Sequence, residues 1–140
     1  MTAKEYLRKI RDLENDIMVK EKQLESIRES LSTLQAIDYS RDRIMTSPKD
    51  TMPDRVGQVI DLEHDVVKAI EKYQAEKAVR ITQILSLDSS LQKQILIHRY
   101  VDYMALQDIA DLLGYSYEYI CHVHGDALRD FAKKYLNSKR

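Results

Sequence analysis

From Thr2 to about Ala36 the chain holds neither glycine nor proline, and its apolar residues recur in alternating steps of three and four. Ala3, Tyr6, Ile10, Leu13, Ile17, Lys20, Leu24, Ile27, Leu31 and Leu34 trace the repeat, with Lys20 its one polar member. That is the heptad pattern of a helix that lays a single seam against another helix. Thr2-Ala3-Lys4-Glu5 has the spacing of a capping box, in which two backbone donors are satisfied reciprocally, so the helix is expected to start at the extreme N-terminus. At 1.5 Å per residue it runs for roughly 50 Å. The seam has two readings: a coiled-coil arm that pairs with another subunit or docks a partner, or half of an intramolecular hairpin. The first is preferred, because so long an apolar strip needs more cover than the rest of the chain readily supplies. Lys20 within it then limits register and stoichiometry.

Composition extends the helical expectation to the whole chain. In 140 residues there are 3 glycines, 2 prolines and no tryptophan, which argues against a sandwich, a barrel or a disordered tail. Lysine and arginine total 22 against 23 acidic residues, so a globally basic nucleic-acid binder is excluded, although a local basic face is not. Cys121 is the single cysteine and no apolar stretch is long enough for a bilayer span or a secretory signal. A soluble cytoplasmic protein without a disulfide framework or a membrane partner is expected.

Periodicity lapses between Ile37 and Asp54, where Ser47-Pro48-Lys49-Asp50-Thr51-Met52-Pro53 holds both prolines and reads as a loop. Pro53 suits the first turn of a following helix. Arg41, Arg43 and Lys49, beside Ser40, Thr46 and Ser47, read as a solvated charge run rather than a phosphate site. Val56, Val59, Ile60, Val66, Val67, Ile70, Tyr73, Ile81, Ile84 and Leu85 then return at helical spacing to about Leu87, with the seam weakened at Glu63 and Lys77. An antiparallel return along the first helix is the economical arrangement. Residues 1–87 are thus read as a helical hairpin or coiled-coil oligomerisation region, and 88–140 as a separate unit.

In that unit Asp88-Ser89-Ser90 offers N-caps for a short helix marked by Leu91, Ile95, Leu96, Tyr100 and Val101. From Leu106 to Gly125, Ile109, Leu113, Tyr115, Ile120 and Val123 fall where two short helices meeting at a sharp turn bury side chains against each other. Ala110 is small enough for close approach of the second helix, and Gly114 supplies a positive φ where the first helix ends. Ser116 caps the second helix. Together these residues make a helix-turn-helix pattern.

Arg99-Tyr100-Val101, then Asp108 through Ser116, then Ala127-Leu128-Arg129-Asp130-Phe131 resemble the region 4 helix-turn-helix of sigma-70 factors, over about residues 88 to 136. With the coiled-coil start and the Ser47-Pro48-Lys49-Asp50 loop, the whole chain is similar to small phage and prophage proteins of Gram-positive bacteria, of the ArpU type of late transcriptional regulator. The resemblance implies an all-α fold, binding to double-stranded DNA and control of phage genes. It also has departures. Tyr103 stands where sigma-like units commonly have glycine, and Ala105 stands where a threonine or serine would cap the first helix. The exposed face of the second helix is expected to carry Ser116, Tyr117, Glu118, Cys121, His122, Gly125 and Arg129, where the family usually has several arginines or lysines.

On this reading Tyr117, Glu118, Cys121 and His122 approach base edges, while Ser116, Arg129, Lys133 and Lys134 lie nearer phosphates. Residues 88–140 hold seven basic and seven acidic side chains, so a monomer is expected to bind weakly and a homodimer to recover affinity by avidity. The alternative is a protein-interaction module that docks on host RNA polymerase or a phage assembly or packaging component through its tyrosine-rich face. Neither cofactor nor metal is expected: His64, His98, His122, His124 and Cys121 form no four-ligand spacing. His122 reads as a base or phosphate contact and His124 as a surface or interface residue. No phosphate loop, nucleophile elbow or zincin motif appears, and paired acids such as Glu14 with Asp16 read as solvated, so no enzymatic role is expected.

Overall fold

The structure, a computed structural model, describes residues 1–41 and 52–137. Among the described residues the chain is helical throughout, with no strand. Its elements are α1 (Ala3–Arg41), α2 (Met52–Leu85), α3 (Ser90–Tyr100), α4 (Leu106–Leu113) and α5 (Tyr117–Phe131), the last continued by a π-helical turn over Ala132–Leu136. Both long helices run further into the expected loop than the apolar periodicity does. Ser47 to Thr51 of the expected prolyl loop and the basic residues Arg43 and Lys49 lie outside the described residues, as do Lys139 and Arg140, whereas Met52 and Pro53 open α2.

The first helix starts as its capping box requires. Thr2 N donates to Glu5 Oε2 and Glu5 N donates to Thr2 Oγ1, both at 3.2 Å. Beyond it the chain divides into two compact units, one made of Met1–Asn15 with Gln74–Arg140 and one of Asp16–Tyr73. This division differs from a boundary at residue 87, because the beginning of α1 and the end of α2 share a core with α3 and α5.

In the smaller unit Ile17 and Ile27 of α1 are buried with Val66 and Ile70 of α2, and Leu24, Val59 and Tyr73 pack against them. Glu63, which weakens the α2 seam, accepts from Arg28 Nε at 3.3 Å. Lys20 is half-buried, its ammonium donating to Gln23 Oε1 at 3.2 Å. In the larger unit Ala3, Leu7 and Ile10 are buried with Ile84, Leu87, Leu96, Tyr100, Ala127 and Phe131. There α1 and α2 run antiparallel: Tyr6 Oη donates to Gln83 Oε1 at 2.6 Å, and Lys77 pairs with Glu14 at 3.6 Å. Arg80 is buried across the same contact, donating to the Tyr6 carbonyl at 3.1 Å, with its guanidinium 4.3 Å from the centre of the Tyr6 ring.

Within the chain these contacts follow the intramolecular alternative for part of the heptad seam: Ile10 clusters with Ile84 of α2 in the larger unit, and Ile17, Leu24 and Ile27 cluster with Val66 and Ile70 in the smaller one. The cover came from residues whose polar interruptions, Glu63 and Lys77, each find an α1 partner of opposite charge. Leu7, outside the heptad, is fully buried because the start of α1 also meets α3 and α5.

Candidate nucleic-acid interface

Helices α3, α4 and α5 pack on one another around Ile95, Ile109, Ala110, Ile120 and Val123, with Leu91, Met104, Leu106 and Leu113 at the margin. Ala110 is fully buried, at the place where a larger side chain would hold the helices apart. Gly114 ends α4 at φ 78° and ψ 29°, and the N–H groups of Gly114 and Tyr115 both donate to the Ala110 carbonyl, at 2.9 and 3.0 Å. No neighbouring atom would meet a Cβ at Gly114, so it is the left-handed backbone, and not crowding, that calls for glycine. Ser116 Oγ then accepts from Tyr119 N at 3.2 Å and starts α5.

The two departures before α4 have structural counterparts. Tyr103 adopts φ 60°, a conformation in which glycine is unstrained. Its hydroxyl donates to Glu14 Oε2 and its ring lies under Arg11, 5.1 Å from the guanidinium carbon. Burial and the Glu14 carboxylate push the Tyr103 phenol well above its ordinary range. Ala105 is the N-cap of α4 and supplies no side-chain hydrogen bond, so the first turn of that helix lacks this common partner.

Ser116, Tyr117, Glu118, His122, Arg129, Lys133 and Lys134 are exposed, and Cys121 and Gly125 are half-buried. Tyr117, Glu118, Cys121 and His122 fall within the first turns of α5, and the neighbouring Cys121 side chain raises the Tyr117 pKa. The basic residues are less free than their positions along the chain suggest. Asp126 pairs with Arg129 on one side and with His122 Nε2 at 3.3 Å on the other. Lys134 turns back to donate to the Ser86 carbonyl at 2.8 Å.

Two expectations are corrected. Tyr115 is 46% exposed rather than buried between the helices. It sits in the turn after Gly114, and its ring rests on Tyr119 at 5.2 Å, while Leu113, Ile120 and Val123 fill the inter-helix space. His124 is no surface residue either. It is 9% exposed, stacked on Tyr100, with Nε2 2.9 Å from the Tyr100 hydroxyl. Burial, with Arg99 and Lys4 adding to it, pushes its pKa down from 6.5 to about 4, so the ring is neutral near pH 7. The helical period carried the signal, since His124 lies four residues after Ile120 and three before Ala127 on the buried face of α5, where Tyr100 of α3 covers it. His98 instead bonds Asp102 at 2.9 Å, and His64 is exposed in the other unit.

Among the described residues no three potential metal ligands come together, and no helix is long and apolar enough to cross a membrane. Compared with family models, curated proteins and solved structures, the chain matches none.

Proposed function

We propose that the chain is a sequence-specific double-stranded DNA-binding regulator of phage or prophage genes, acting in the cytoplasm through a sigma-70 region 4-like helix-turn-helix formed by α4 and α5. One observation carries the reading: a tight turn at Gly114 over a three-helix core leaves the first turns of α5 projecting Tyr117, Glu118 and His122 into solvent. A helix held from behind by two others and polar in front is what the major groove admits. Glu118 suits the amino group of cytosine, and His122, kept near Asp126, suits a base acceptor or a phosphate. Because Arg129 and Lys134 are engaged within the protein, Lys133 is left as the simplest phosphate contact on this helix. A homodimer would supply the avidity that a charge-balanced unit lacks.

The second reading is docking on RNA polymerase or a phage assembly component. The exposed Tyr115, Tyr117 and Tyr119 favour it, since amphipathic rings are common anchors of protein interfaces. Fluorescence anisotropy on fragments recovered from the cognate genome separates the two. On the DNA reading, His122→Ala and Glu118→Ala each change preference among fragments by roughly 1 to 3 kcal/mol at the contacted base pair. Lys133→Ala weakens all fragments about equally. A parent protein without fragment preference, whose co-purification with RNA polymerase is lost in Tyr115→Ser/Tyr119→Ser, would establish the docking reading instead.

A further inference from the structure

The charge balance of residues 88–140 omits a contribution from the other end of the chain. Lys4, Arg8 and Arg11 are spaced four and three apart on α1, which places them on one helix face. Arg8 and Arg11, with Asp12, line an open cleft of about 420 Å³ whose other wall is Arg99, Tyr100 and Tyr103. All six belong to the larger unit.

Three guanidinium groups therefore face one carboxylate. No acidic side chain lies within ion-pair distance of Arg8, Arg11 or Arg99 among the described residues, so their charge is not spent inside the protein. Two of the three are nevertheless held. Arg99 Nη1 donates to the Met104 carbonyl at 3.0 Å, and Arg11 lies over the Tyr103 ring. Tyr103 itself keeps a left-handed backbone that a glycine would adopt without strain, and its hydroxyl is tied to Glu14. The ring is thus retained, against a local backbone cost, where it fixes a guanidinium at the mouth of the cleft. Tyr100 in the cleft wall meets His124 of α5, its hydroxyl 2.9 Å from Nε2, so the cleft adjoins that helix.

We propose that this cleft binds a phosphodiester group of the DNA backbone, with Arg8, Arg11 and Arg99 as its donors. Preorganised guanidinium groups recognise phosphate oxygens in a planar, two-point manner that an ammonium cannot match. Asp12, also in the cleft, opposes the anion. The site rests on the DNA reading and deepens it: α5 reads bases while α1, outside the helix-turn-helix, anchors the backbone next to it.

The test is the full-length Arg8→Gln/Arg11→Gln protein, with Arg99 left in place because it supports the turn before α4. Its thermal melting serves as the folding control. With a short mixed-sequence duplex followed by anisotropy, the expected result is binding weakened about tenfold or more and a log K against log salt slope shallower by about 1 to 2. Parental affinity and slope would overturn the cleft while leaving the DNA reading intact. If the parent binds no duplex, the DNA reading fails on its own. The cleft is then decided by titrating the parent with inorganic phosphate and with a dinucleoside monophosphate, following the arginine side-chain resonances. Shifts at Arg8, Arg11 and Arg99 with either probe would sustain a phosphate site, filled by a free ligand, and no shift would overturn it. A variant that melts well below the parent is replaced by Arg8→Lys/Arg11→Lys, which keeps charge but loses the planar donors; unchanged duplex affinity there would overturn the guanidinium-specific recognition.

Discussion

At the scale of single residues, the sharpest consequence concerns His124. The unfolded chain takes up a proton on this side chain near pH 6.5, whereas the folded chain resists until about pH 4. Its contribution is therefore whole above pH 6.5 and is lost as pH falls toward 4, by roughly 2 to 3 kcal/mol. His124→Gln should flatten that part of the stability profile, measured by chemical denaturation at several pH values. An unchanged profile would place the titration elsewhere. Gly114 and Ala105 give complementary tests. Gly114→Val should lower stability by about 1 to 3 kcal/mol and Gly114→Asn by less, because asparagine tolerates the left-handed region and valine does not. Ala105→Ser should raise it by about 1 kcal/mol by adding the missing cap.

At the scale of elements, what was legible in the sequence is what local chemistry dictates. Thr2 and Glu5 announce the start of α1, Ser89 and Ser116 the starts of α3 and α5, and Gly114 the end of α4, each through a hydrogen bond or a dihedral that only a few residue types satisfy. What was not legible depends on which surface an element meets. The heptad in α1 says that a partner exists but not whose chain supplies it. Tyr115 has a side chain equally at home in core or solvent, and its place in the turn after Gly114, against Tyr119, sends it outward, whereas His124 lies on the α5 face marked by Ile120 and Ala127 and its polar ring hid an inward position that the period indicates. The candidate site shows the same split: the exposed face of α5 follows from its period, while the capture of Arg129 by Asp126 and of Lys134 by the Ser86 carbonyl depends on side-chain reach and tertiary placement. Ala110→Leu probes the element contact directly. It should cost about 1 to 3 kcal/mol through overpacking of α4 on α5, read as a lower melting temperature.

At the scale of the whole molecule, α1 serves the C-terminal helices rather than standing apart from them. Ala3, Leu7 and Ile10 bury against the same cluster as Leu96 and Phe131, so a fragment beginning at Asp88 loses a large part of its core. Such a fragment should show a broad, weakly cooperative melt by circular dichroism where the full chain shows a sharp one. A sharp parental transition in the fragment would contradict the shared core. The same arrangement carries the functional account, in which one rigid support presents the exposed face of α5 to bases and the arginines of α1 to the backbone.

Selection from a library of random duplexes, with the recovered sequences read out, tests that account most directly. The account predicts that the full chain enriches one short motif and that His122→Ala/Glu118→Ala changes the enriched bases without abolishing recovery. Recovery of unenriched random sequence by the parent, or the same motif from the double variant, would contradict it.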